Sequence, residues 1–474
     1  MPTLTKVTEK ILEEITPTVH DRKRICSIAS ELERKVSAAC AEAGLDAVVR
    51  VEGSVAKDTW LREEPDVDVF MRLPVTIPRK ALGEIGLKIA KKATEGSMQI
   101  ERFAEHPYLE AFVDGTRVNI VPCYQAKPGE WLSATDRTPY HTDYVNEHLA
   151  VALREEVRLL KKFMKGISVY GAEIRIGGFS GYLCELLTLH YGSFAETLAA
   201  FSKHSPRRVV DIESYYKQRE RELELLFPEP LVVVDPVDRA RNVASAVRDQ
   251  MLQTFAAASR AFLKAPRKEF FYPPKTPPLT TKALKESLKN RGSDLIFLIL
   301  GEIRAVPDVL WGQLHRTQRA LRTQLELNDF QVLRDAVWSQ EKGESTAFII
   351  ELNQRTLPAV KKHLGPPLER QQECDDFVTK YLHNNQVVAG PYIEEGRWIV
   401  EVKRKFIDAV EMLKAKTKAG GRDIGVANLI SAAIGKDSAF SVNEKIAEFY
   451  EKNGEFAVFL TEFLSGKPLW LKTK

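Results

Sequence analysis

The stretch from Val51 to Leu73, VEGSVAKDTWLREEPDVDVFMRL, constrains this chain more than any other. It reads as a strand, a tight Gly53-Ser54 turn, a short helix, and a second strand carrying Asp66 and Asp68. Strand side chains alternate between faces, so Asp66 and Asp68 point one way while Val67 and Val69 point back into a core. Two carboxylates that close repel each other, and a divalent cation between them removes the repulsion. The Gly-Ser turn ahead of a helix offers backbone N–H groups, a hydroxyl and a helix start, all suited to phosphate oxygens. Either half alone reads more readily as a plain turn or an exposed acidic edge strand. The ordered pair points to a site that handles phosphate and metal.

Composition narrows the classes. With 474 residues the chain is longer than one ordinary domain. Its 44% hydrophobic and 28% charged content fit a globular protein. No apolar run reaches 18 residues, so no membrane span is expected. The mixed-charge N-terminus MPTLTKVTEKILEEI is unlike a secretory signal. Cys26, Cys40, Cys123, Cys184 and Cys374 are scattered, without Cys-x-x-Cys, which predicts reduced thiols in a cytoplasmic protein and no zinc site. A net charge of +4 permits nucleic-acid binding through local basic patches without requiring it.

Along the chain, apolar residues at helical spacing predict helices over 4–15, 21–43 and 78–94. A hairpin follows: Tyr108–Val113, a two-residue Asp114-Gly115 turn, then Thr116–Tyr124. That turn places 113 opposite 116 and Glu110 opposite Asn119. From Glu147 to Ala265 the pattern is helical, interrupted by a short apolar strand at Leu231–Val234. The segment 266–282, PRKEFFYPPKTPPLTTK, reads as a proline-rich linker. Beyond it, 295–300, 329–338, 347–352 and 398–402 read as strands, and 307–327, 404–416, 442–451 and 455–464 as helices. The expected class is α+β and multidomain: a catalytic head with an antiparallel or mixed sheet (1–145), a helical neck (146–265), and an α/β body and tail (283–474).

The ordered blocks EGSVAKDTWL, DVDVF, HPYLEAFVDG, VNIVPCY, DRTPYHTDYV, SVYGAEIRIGGFSGYLCELL, DPVDRARNVA, KEFFYPP and GRWIVEVKRKFIDA resemble the archaeal-type (class I) CCA-adding enzymes. These are tRNA nucleotidyltransferases of the polymerase-β type, and the resemblance covers nearly the whole chain. It implies template-free addition of C, C and A to tRNA 3′ ends from CTP and ATP with Mg²⁺. Asp66, Asp68 and the residue at 119 are implied as metal-holding and catalytic. The family pattern has an aspartate where this chain has Asn119, and an amide oxygen can coordinate a metal but cannot usefully accept a proton. Glu110, its cross-strand neighbour, is a candidate source of the missing charge. The resemblance further implies that Ser54, Lys57, Lys161 and Tyr170 contact the triphosphate. It also places His141 on the nucleotide and Arg241 near the incoming base, whose edges an Arg fork suits. The acceptor stem and T arm of tRNA are expected on the C-terminal half, through His315, Arg316, Arg319, KEFFYPPK and the basic block at 402–422. The implied assembly is a homodimer with no membrane partner. Two other readings are a tRNA-binding protein whose catalytic site has decayed at Asn119, and a poly(A)-type polymerase. The blocks downstream of residue 170 disfavour the polymerase.

Overall fold

The computed structural model describes residues 3–472 apart from 104, 341 and 342. The chain divides into two compact units. The first runs from the N-terminus to Lys275 and takes back the end of the chain from Lys467, and the second is Thr276–Gly466.

The first unit begins with two helices, α1 (Leu4–Ile15) and α2 (Val19–Glu42). A capping box starts α2: the Thr18 side chain accepts from the Asp21 N–H, and the Asp21 carboxylate accepts from that of Thr18. The five-stranded sheet then forms from β1 (Val48–Glu52), β2 (Val67–Leu73), β3 (Met98–Phe103), β4 (Pro107–Val113) and β5 (Thr116–Tyr124). Its order is β1-β2-β5-β4-β3, with β2 and β5 parallel and the other pairs antiparallel. Between β1 and β2 lies the single-turn helix α3 (Gly53–Ala56), and α4 (Arg79–Ala93) follows β2.

Alternation decides the two faces. Val67, Val69, Met71 and Leu73 are fully buried with Val118 and Ile120 in a core shared with Ile25, Leu32 and Val36 of α2 and Leu82 and Ile89 of α4. Each such side chain contributes about 1.5–3 kcal/mol. A one-residue slip of β2 would exchange these for Asp68, Phe70 and Arg72, so the register is strict. The hairpin forms as the sequence predicts. Asp114 and Gly115 both take positive φ, +47° and +71°, the two-residue turn that matches strand twist. It pairs Val113 with Thr116 and Glu110 with Asn119. Asp66, expected on the strand, sits just before it.

The remainder of this unit carries α5 (Thr138–His148), α6 (Leu153–Gly166) and α7 (Gly181–Tyr191), with helices Phe194–Ser202 and Asp249–Lys264. It is not all helical: Arg208–Val210, Leu231–Asp235 and Asp238–Asn242 make a three-stranded sheet, two of whose strands are too short and polar to stand out in sequence. Nor is 266–282 a plain linker. Phe270 and Phe271 are buried in the same core as Phe163, Phe194 and Phe262, and Trp470 stacks on Phe270 at 5.2 Å. The break falls after Lys275, where the aromatics end.

The second unit holds a four-stranded sheet of Val332–Ser339, Thr346–Leu352, Asp294–Leu300 and Ser438–Val442, with helix Pro307–Leu327 packed on it. A three-stranded sheet of Val360–Pro367, Arg397–Lys403 and Val387–Glu394 carries helix Gln371–Tyr381. The outer strands of that sheet have mixed polarity and are missed by periodicity. The helix expected from 404 begins at Ala409, because Asp408 accepts from the Val410 and Glu411 N–H groups and caps it.

Candidate active site

Across the face of the five-stranded sheet turned away from α2 and α4, Glu52, Asp68, Asn119 and Glu110 lie in one cross-strand row. The floor beside them is Phe70, Val121 and Cys123. Gly53 turns at φ +71°, and a methyl group there would collide with the Asp68 carboxylate, so only glycine lets the turn pass this close. Burial pushes the Asp68 carboxyl up to about 6; the Asn119 amide, donating to its Oδ1 at 2.9 Å, opposes this, and the charge of Asp66 adds to it. Asp66 is gripped by both arms of Arg117, with Nε to Oδ1 at 2.9 Å and Nη2 on Oδ2. Glu110 gives one oxygen, Oε1, to Arg102 at 2.8 Å, while Arg117 Nη1 stands 3.9 Å from its Oε2.

A second cluster is built by α6 against the segment after α3. Arg158 binds the Trp60 carbonyl at 3.0 Å and the Asp58 carboxylate at 2.6 Å, pinning a turn in which Asp58 has φ +49°. Glu185, on α7, accepts from Lys57 at 2.5 Å, Thr59 at 2.6 Å and Lys161 at 2.9 Å. Burial works against its charge, but Lys161 and Lys57 outweigh it and hold the carboxyl at about 2. Burial also draws the Lys161 ammonium below its ordinary value, with Glu185 opposing. Two ammonium groups share one carboxylate here, leaving net positive charge. Ser180 caps α7, accepting from the Leu183 N–H at 3.1 Å. Space beside the first residue of that helix, Gly181, is closed by the Tyr170 hydroxyl and the end of Lys161. Lys161, one of two adjacent helical lysines of the kind normally solvated, is 3% exposed.

The third cluster centres on Asp235, buried at the end of Leu231–Asp235. Its Oδ2 meets His141 Nε2 at 2.9 Å and Arg241 Nη1 at 2.7 Å, and its Oδ1 accepts from the Tyr182 hydroxyl at 3.2 Å. His141 stacks on Tyr182 with ring centroids 4.0 Å apart, and Lys57 sits over the same ring at 5.5 Å. Burial lowers the His141 pKa, with the hydrogen bond and charge of Asp235 opposing.

The fold thus groups Asp66, Asp68 and Asn119, groups Lys57, Lys161 and Tyr170, and joins His141 to Arg241. Ser54 follows Gly53, and its carbonyl accepts from the Thr59 N–H at 2.9 Å. Sequence reading missed Glu185, Asp235, Tyr182 and Arg117. A signal existed for two of them: Glu185 is the one acid within the apolar run FSGYLCELLTLHY, and Asp235 ends the apolar run LVVVD. Among the expected RNA-facing residues, Arg316 and Arg319 are exposed on their helix. Phe270 and Phe271 of KEFFYPPK belong instead to a core, and Arg404 of the basic block is paired with Asp329.

The oxygen donors suit a hard divalent cation, and the clearance kept by Gly53 together with the raised Asp68 carboxyl fits one. Among the described residues no cluster of three or more His, Cys, Asp or Glu stands ready for a metal. No helix among the described residues is long and apolar enough to cross a membrane.

Three family models match: the nucleotidyltransferase domain over 32–141, the second domain of tRNA nucleotidyltransferases over 155–272, and the C-terminal domain of CCA-adding enzymes over 291–460. The chain is 36% identical to a CCA-adding enzyme of Methanosarcina barkeri, over 98% of this chain and 100% of that one. It is 35% identical to a CCA-adding enzyme of Methanosarcina acetivorans, over 96% and 97% respectively. The solved structure of a cytoplasmic RNA terminal U-transferase covers 56% of this chain and 97% of that chain, at 15% identity and a TM-score of 0.45.

Proposed function

This chain belongs to the CCA-adding enzymes, and on that premise we propose how its residues rebuild the 3′-terminal CCA of tRNA from CTP and ATP. Asp66, Asp68 and the Asn119 amide oxygen are the residues that would hold Mg²⁺. A divalent ion held there would supply Lewis-acid chemistry, lowering the pKa of the attacking tRNA 3′-hydroxyl and offsetting phosphate charge. Lys57 and Lys161 receive the triphosphate, and because Glu185 neutralises only one of them, the pocket keeps a positive charge for it. The Tyr170 hydroxyl and the start of α7 add neutral donors. His141, stacked on Tyr182, and Arg241, aimed by Asp235, meet the base; a guanidinium fork hydrogen-bonds to cytosine or adenine edges alike. The 3′-oxygen then displaces pyrophosphate in line from the α-phosphorus, and the protein's contribution is positioning and charge. We assign the acceptor stem and T arm to cations of the second unit such as Arg316 and Arg319, acting through backbone contacts.

One observation carries this reading: the acidic row and the lysine pair lie at the two ends of α3, with Gly53 against the Asp68 carboxylate and Lys57 joined to Lys161 through Glu185. A binding protein with a decayed site would have no use for that arrangement. The test is incubation of tRNA lacking CCA with Mg²⁺ and labelled CTP or ATP. Native protein should add CMP and then AMP, and Asp68→Ala should be slower by a factor of about 100 or more. Absence of incorporation by the native chain, or more than about a tenth of its rate in Asp68→Ala, would overturn the reading.

A further inference from the structure

Arg117 holds Asp66 with a two-pronged fork that engages both carboxylate oxygens, so the carboxylate is occupied before any metal arrives. The same guanidinium has a second acceptor within a short swing. Glu110 gives Oε1 to Arg102, while its Oε2 faces Arg117 Nη1 from 3.9 Å, too far for a hydrogen bond. Arg117 projects from β5 two residues before Asn119, and its side chain is 47% exposed. Glu110 is buried and fixed by Arg102. One partner lies at the surface and the other is anchored in the interior.

We propose that Arg117 is a two-position latch on the metal site: it closes on Asp66 in the empty enzyme and moves to Glu110 Oε2 when a divalent cation takes Asp66. Arg117 is thus a positioning residue, and Glu110 serves as its landing point instead of as a metal ligand. This rests on the reading of Asp66 and Asp68 as the metal-holding pair. Row chemistry makes the latch useful. With Asn119 neutral, Asp66 and Asp68 carry the negative charge that attracts the cation, and the fork keeps Asp66 oriented meanwhile. Opening the latch costs affinity, because the cation must displace a bidentate partner.

The experiment measures binding of Mn²⁺ alone to the full chain, from the free-ion paramagnetic resonance signal, without nucleotide or tRNA. Arg117→Gln should tighten Mn²⁺ binding about five-fold, the equivalent of a geometrically good, partly exposed ion pair. Loss of a positive charge alone would do something similar, so Arg117→Lys separates the two. It keeps the charge but cannot form the fork, and the latch predicts tightening of about two-fold or more. Glu110→Gln, which removes the landing point, should weaken binding in the native background and change nothing in Arg117→Gln. Equal Mn²⁺ affinity of Arg117→Lys and native protein would overturn the latch. So would a Glu110→Gln effect that persists without Arg117. Asp66→Asn controls for the underlying reading: undiminished Mn²⁺ binding there would remove the metal site itself, and the latch with it.

Discussion

Glu185 is a residue whose loss the structure predicts to be costly. Its carboxylate holds Lys57, Lys161 and Thr59, and the two lysine side chains are only 7% and 3% exposed. Glu185→Gln keeps the shape and removes the charge. In the folded chain the carboxyl falls from an ordinary 4.5 to about 2. At about 1.4 kcal/mol per tenfold, the charged form is favoured by about 3 kcal/mol. Replacing it by a neutral amide should cost about that much, in line with roughly 3–5 kcal/mol for breaking a buried ion pair. For a unit of this size that lowers the melting midpoint by about 5 °C, readable by scanning calorimetry. Because the folded carboxyl is depressed, its contribution is complete above about pH 4.5 and fades as pH falls toward 2. The gap between native and variant midpoints should therefore narrow on acidification. Pairing Glu185→Gln with Lys161→Met should cost less than the two changes summed, by about 2 kcal/mol, since the second removes a cation the first left uncompensated. A Glu185→Gln midpoint within about 1 °C of native at pH 7, or strict additivity, would refute the buried-triad argument.

Two further outcomes are expected. Asn119→Asp adds a third carboxylate beside Asp68 and should lower the Mg²⁺ concentration needed for half-maximal CMP incorporation several-fold; superimposable Mg²⁺ titrations would show that residue 119 does not reach the metal. Asp235→Asn weakens the charge-assisted bonds that aim His141 and Arg241, so KM for CTP and for ATP should rise by about ten-fold or more with a smaller change in kcat, and unchanged KM values would detach this cluster from the base.

Local sequence carried much of this site. Alternation in Val67–Leu73 separates the Asp68 face from the core face, and Asp114-Gly115 fixes which residue lies opposite Asn119, because both depend on neighbours a few positions away. Helical periodicity likewise located α2 and α4. What only the tertiary structure decided is which charges are buried and with whom. Lys161 reads as a solvated lysine until α6 is packed against Thr59 and α7, when the carboxylate of Glu185 becomes its partner. His141 and Asp235 are 94 positions apart, and Phe270 reads as linker until the core around Phe163 encloses it. The physical reason is the same in each case. Turn type and face alternation are short-range steric properties, whereas the cost of burying a charge and the choice of its counter-charge depend on elements that meet only after the chain has folded.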